Sequence, residues 1–201
     1  MAVARTAFFL LAISATWWVA GCARNDTAVV VDHQTEGNLE SKNPLGCIDS
    51  AAARSTDTPA DLYQGVAACV AAGNLENATL LYALAGTYGR FDTLRVTDRS
   101  AHQAITALQM QALGPLPREK KDGFQQATMK MKEDPARLAA LCAEIRRIGP
   151  PDYVPRYMIQ HGMGAFLRDN GSGLDEAFDG ATAWEQTLTS YLNCPAGNSG
   201  N

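Results

Sequence analysis

The sequence predicts an all-α domain of six or seven helices. Three observations carry this. Apolar residues recur at spacings of three and four along most of the chain. Hydroxyl or carboxylate caps followed by proline open two of these stretches, at Thr58-Pro59 and Asp134-Pro135. No alternating run closes in a hairpin turn, since Asp122-Gly123 and Asp179-Gly180 both sit in helical context.

Taken in order, Thr58-Pro59-Ala60-Asp61 supplies an N-cap hydroxyl, a proline at the first helical position and a carboxylate three residues after the cap. The helix it opens runs through Leu62, Val66 and Cys69 and stops at Gly73-Asn74. A second begins near Leu75 with Ala78, Leu81, Tyr82 and Ala85 on one side, and a third spans about Ser100–Leu113 with Ala101, Ile105, Leu108 and Ala112. Pro117–Lys132 is a more polar helix whose buried stripe is expected to be Phe124, Ala127 and Met131. The next carries Leu138, Leu141, Cys142 and Ile145 and ends at Gly149-Pro150-Pro151, where proline cannot continue the hydrogen-bond ladder. One helix is expected from Pro155 to Leu167, placing Tyr157, His161 and Gly164 on one face, and a last one over about Ala181–Leu192 with Trp184, Leu188, Tyr191 and Leu192.

Ahead of this domain, Arg5 precedes an apolar run bounded by small residues, the pattern of a secretory signal over residues 1–21, too short to be preferred as a membrane span. The sequence Val19-Ala20-Gly21-Cys22 resembles the lipobox of bacterial lipoproteins. The resemblance implies that Cys22 becomes the acylated first residue, carrying palmitate-type chains, and that Ala23 in place of aspartate directs the protein to the outer membrane. Each acyl methylene buried in the bilayer contributes ~0.8 kcal/mol, so two or more chains anchor stably. Residues 22–46 show no sustained period and are expected to form a flexible tether; the folded domain is expected over 47–195 and a disordered tail over 196–201.

The helices over 62–85 also resemble one tetratricopeptide or Sel1-like unit, a helix-turn-helix of roughly 34 residues. Gly73 matches its turn glycine, Leu75 the large residue opening its second helix, and Ala78, Tyr82 and Ala85 its small-large-small pattern; Gly65, Val66 and Cys69 depart from it. The resemblance implies a scaffold presenting a surface to another protein.

Apart from Cys22, four cysteines remain in a chain bound for an oxidising compartment. Of the three pairings, Cys47 with Cys69 and Cys142 with Cys194 is favoured: the first would staple the tether onto the first helix and the second would pin the last. The alternative leaves Cys69 and Cys142 as buried thiols. No Cys-x-x-Cys or His-x-x-x-His spacing points to zinc, and no cofactor fingerprint is present.

Aromatic and charged residues bunch twice, over Tyr88–Arg95 and over Asp152–Phe166, with Tyr88, Arg90, Asp92 and Arg95 in the first and Arg156, Tyr157 and His161 in the second as candidates. A catalytic reading makes His161 a general base oriented by Asp92 or Glu144, with Arg90, Arg95 and Arg156 as anion contacts. The bland reading packs them between helices. The net charge of −4, with 19% charged residues and no long basic run, disfavours nucleic acid as a partner. The expected function is therefore a membrane-anchored, periplasm-facing module that binds one protein, such as an immunity protein against a secreted toxin or an envelope-assembly factor. The alternative is an envelope-polymer hydrolase working through His161 and a nearby carboxylate.

Overall fold

A computed structural model describes residues 35–167 and 171–196. The signal segment, the lipobox with Cys22, the first part of the tether and the tail from Gly197 onward lie outside the described residues. The described residues form eight α-helices: α1 (Pro59–Ala72), α2 (Leu75–Arg95), α3 (Ala104–Leu113), α4 (Arg118–Glu133), α5 (Pro135–Ile148), α6 (Arg156–Ile159), α7 (Met163–Phe166) and α8 (Gly180–Ser190). A 3₁₀ turn over Arg99–Gln103 leads into α3, and one antiparallel bridge joins Val96 to Leu174.

The α1–α2 hairpin is the centre of the domain. Thr58 and Asp61 form a reciprocal capping box at the start of α1, and Gly73 closes it in the left-handed conformation at φ 79°. Leu62, Tyr63, Val66 and Val70 of α1 meet Ala78, Leu81, Leu84 and Ala85 of α2, all essentially excluded from water. The second helix runs on past the hairpin to Arg95, so Tyr88–Arg95 forms its last turns. Around it pack α1, α4 and α8, while α3 packs on α1. Tyr82 lies edge-on to both Tyr63 and Phe124, at 6.0 and 5.4 Å, and so couples α1, α2 and α4.

Two disulfides staple the bundle, Cys47–Cys69 and Cys142–Cys194. Beside the second, Arg146 of α5 grips both carboxylate oxygens of Glu185 in α8, at 2.6 and 2.9 Å, and the carbonyl of Pro195 at 2.9 Å. The carboxyl-terminal end is thereby tied to α5 by a covalent bond and three polar contacts.

Two expectations are corrected. The flexible tether does not extend to Gly46, because residues 35–46 are docked on the domain. Buried Asp61 accepts from Ser41 Oγ at 2.6 Å and the Asn43 backbone N–H at 2.8 Å while still capping α1. Further back, the Leu39 N–H donates to the Tyr157 carbonyl at 3.1 Å and Thr35 Oγ1 to the Gln160 carbonyl at 2.5 Å. Nor is 155–167 one helix. It breaks after Ile159, and Gly162 is extended (φ −76°, ψ 160°) with the Asp98 carboxylate so close that a Cβ there would collide with it. Asp98 accepts from the Gly164 N–H and Ser100 Oγ from the Met163 N–H, both at 2.8 Å, so α7 starts afresh under a cap from another segment. Tyr157, His161 and Gly164 therefore do not share a helical face.

Asp61 joins the docked segment to α1 through one carboxylate. Asp61→Ala is expected to cost about 2–4 kcal/mol, a lost cap plus lost hydrogen bonds to a charged acceptor. Urea denaturation checks this, with accelerated proteolysis within residues 35–46 as the local signature.

Candidate functional site

Asp92, on the last turns of α2, is fully buried. Its Oδ1 faces Arg95, with Nε at 2.8 Å and a terminal guanidinium nitrogen at 2.7 Å. Its Oδ2 accepts from the Tyr157 hydroxyl at 2.6 Å and the Tyr153 hydroxyl at 3.0 Å. The guanidinium lies between the rings of Phe91 and Tyr153, 5.2 and 5.3 Å from their centroids. Burial raises the Asp92 carboxyl above its ordinary range, while Arg95 and the two phenols hold that rise back. Burial, followed by the carboxylate charge, pushes both phenols well up, so they remain donors. Three hydrogen bonds and a close guanidinium charge converge on one carboxylate, which makes the cluster a brace between α2 and α6.

The structure brings part of the two sequence bunches together and separates the rest. Asp92, Arg95 and Tyr157 meet, with Tyr153 as the member the sequence reading did not single out. Tyr88 is buried and donates its hydroxyl to the Gly149 carbonyl at 2.9 Å, holding the end of α5. Arg90 is exposed and reaches Thr93. Arg156 is exposed on α6 near Gly37. His161 Nδ1 lies 2.9 Å from the side-chain oxygen of Asn38. Asp92 is committed to Arg95, Tyr153 and Tyr157, and Glu144 is held by Arg147 at 2.7 Å. No group of three or more His, Cys, Asp or Glu among the described residues is placed to hold a metal ion.

A surface the sequence reading missed lies elsewhere. Asp134 ends α4 and also caps α5, accepting from the Ala136 and Arg137 N–H groups, so the two helices diverge from one residue. Between them and the start of α2 is an open groove of about 570 Å³, within the usual size of ligand sites. Leu75, Leu80, Ala127, Met131 and Leu141 give it apolar walls, and Lys130 and Arg137 stand where α4 and α5 meet. Glu144 lies two turns further along α5, about 10 Å by helical rise, and Glu76 adjoins Leu75, which faces Gly123 two turns back along α4. Arg137 is paired with Asp134 at 3.4 Å and Glu144 with Arg147, so the polarity of the groove rests on Lys130 at one end and Glu76 at the other, with an apolar floor between them. Ala127 and Met131 were expected in the core, yet α4 buries only Phe124. A signal was present: the stripe is one or two residues wide on an otherwise charged helix, too narrow to be covered along its whole length.

Comparison of the chain with protein-family models, curated proteins and solved structures finds no match in any of the three.

The brace generates two expectations. Asp92→Ala, which strands Arg95 as an unpaired buried charge, should cost about 3–5 kcal/mol in denaturant unfolding. All six tyrosines are pushed up by burial. Their folded-state pKa values lie above the unfolded value of about 10, so the stability they contribute is complete below that pH and is lost as the pH climbs past it. Apart from Tyr82 and the exposed Tyr191, tyrosinate absorbance should stay silent until it rises in one step with the loss of native Trp184 fluorescence. Early, gradual ionisation of several of the other tyrosines in the folded state would contradict this.

Proposed function

We propose that the protein is an acylated, periplasm-facing lipoprotein of the outer membrane whose helical domain binds one protein partner. The anchor rests on the lipobox at Cys22. Two disulfides suit an oxidising compartment, and no described helix is long and apolar enough to cross a membrane. The observation that carries the binding role is the α2–α4–α5 groove, apolar along its floor and opposite in charge at its ends.

Such a groove suits an amphipathic segment laid between helices, with apolar anchors at helical spacing. Its acidic end would face Lys130 and its basic end Glu76, so charge fixes the direction of docking and apolar burial supplies most of the affinity. An immunity protein and an envelope-assembly factor both belong to this class. The hydrolase reading has lost its orienting groups, since Asp92 and Glu144 are each committed to arginines.

A photo-crosslinking residue at Ala140, in the groove, should yield one adduct of defined mass in cells, and Ala127→Arg should abolish it without altering thermal stability. The same crosslinker at Met110, exposed on α3, should not yield that adduct; equal adducts at both positions, or none at Ala140, would remove the groove from consideration. Cys22→Ala should lose palmitate labelling and membrane retention, and His161→Ala should leave the phenotype of the gene unchanged.

A further inference from the structure

One helix of the domain turns its apolar side outward. Phe166, the last residue of α7, and Leu167, its C-cap, follow Met163 at spacings of three and four, and Met163, Phe166 and Leu167 are 60%, 45% and 75% exposed. Large apolar side chains clustered on a surface mark a contact. This one is held rigidly, because Asp98 and Ser100 satisfy the N–H groups of Gly164 and Met163 at its start. Two exposed cations lie on the adjoining segments: Arg99, next to the Ser100 that bonds the Met163 N–H, and Arg156 on α6. Glu40 also approaches Gly37 beside Arg156, so the flank is mixed rather than purely basic.

The contacts of Thr35, Asn38 and Leu39 point to what covers this face. Thr35 bonds to the Gln160 carbonyl, Asn38 to His161 and Leu39 to the Tyr157 carbonyl, all on the short stretch that leads into α7. From Cys22 to Thr35 there are thirteen peptide units, which span at most about 45 Å even when fully extended. A chain anchored at Cys22 is therefore leashed to the bilayer at the edge of this apolar face. On such a leash the effective concentration is of millimolar order, so a weak contact suffices.

We propose that the α7 face formed by Met163, Phe166 and Leu167 rests in the interfacial layer of the membrane that holds the chain, with Arg99 and Arg156 over anionic lipid headgroups. This rests on the reading of Cys22 as the acylated residue, which supplies the leash. Side chains of this kind sit at the boundary between headgroups and acyl chains, where apolar burial and attraction to anionic lipid add together. The domain would then be oriented on the bilayer rather than free to tumble above it.

The test places full-length protein in phosphatidylethanolamine and phosphatidylglycerol vesicles with brominated acyl chains and compares Phe166→Trp with Met129→Trp, an exposed apolar position on α4. The indole introduced by Phe166→Trp should lose most of its added emission to bromine quenching and shift to the blue, while the indole introduced by Met129→Trp should do neither. Leu167→Trp repeats the reading in case Phe166→Trp perturbs α7. Equal quenching in the Met129→Trp and Phe166→Trp proteins overturns the proposal. So does added emission in Phe166→Trp that ignores bromine but changes with protein density, the sign of a second copy or another protein on this face. Mass spectrometry of Cys22 is read separately. An unacylated cysteine defeats the anchor, and bromine quenching of the Phe166→Trp protein mixed with these vesicles still decides whether α7 meets lipid.

Discussion

A buried carboxylate must be surrounded by donors and a counter-charge, and the demand of Asp92 for them organises this domain. Desolvation of such a charge is expensive, and only close pairing with a cation and hydrogen bonds to the remaining lone pairs offsets it. Arg95 comes from the next turn of the same helix, but the phenols of Tyr153 and Tyr157 come from about sixty residues further along. Satisfying Asp92 therefore brings the segment after α5 and the short helix α6 onto the end of α2. Tyr157, once held there, offers its backbone carbonyl to Leu39, which fixes where the amino-terminal segment lies. The placement of α7 and of the docked residues 35–46 follows from that one pairing.

Features set by neighbouring residues were legible in the sequence. Thr58-Pro59-Ala60-Asp61 and Asp134-Pro135 announce helix starts because the capping partners lie within one turn. The all-α class followed from periodicity for the same reason. What could not be read depends on distant partners. The break between α6 and α7 needs Asp98, some sixty residues earlier, to sit where Gly162 lacks a side chain. The docking of residues 35–46 depends on Asp61 serving two segments at once, and nothing in a sequence without apolar period declares that. The candidate residues were legible as two bunches of aromatic and charged side chains, and the structure joins them through Asp92, as a brace. The groove was hidden because periodicity shows that a helix has an apolar stripe without showing how far its neighbours cover it.

The groove and the brace lie on different parts of α2. Its first two turns wall the groove with Leu75 and Leu80, and its last two carry Phe91, Asp92 and Arg95. The second wall, α5, is fixed on one side by Cys142–Cys194 and by Arg146, which leaves Arg137, Ala140 and Glu144 facing the opening. Rigid walls reduce the ordering that a bound segment would demand of the protein, and that favours affinity for a partner of fixed shape.

Under the proposed anchoring at Cys22, the Cys47–Cys69 bond takes on a mechanical meaning. A pull on the leash loads the contacts of Thr35, Leu39, Ser41 and Asn43 one after another, and hydrogen bonds loaded in sequence peel at low force. At Cys47 the path changes character, because the load passes through a covalent bond into the last turn of α1. Tension then acts on α1 near its junction with α2 and does not unravel the helix from its capped first turn. Residues 35–46 act as a shock absorber of about twelve residues, able to span at most about 40 Å when pulled straight at 3.3–3.6 Å per residue, while the bundle beyond the disulfide keeps its shape.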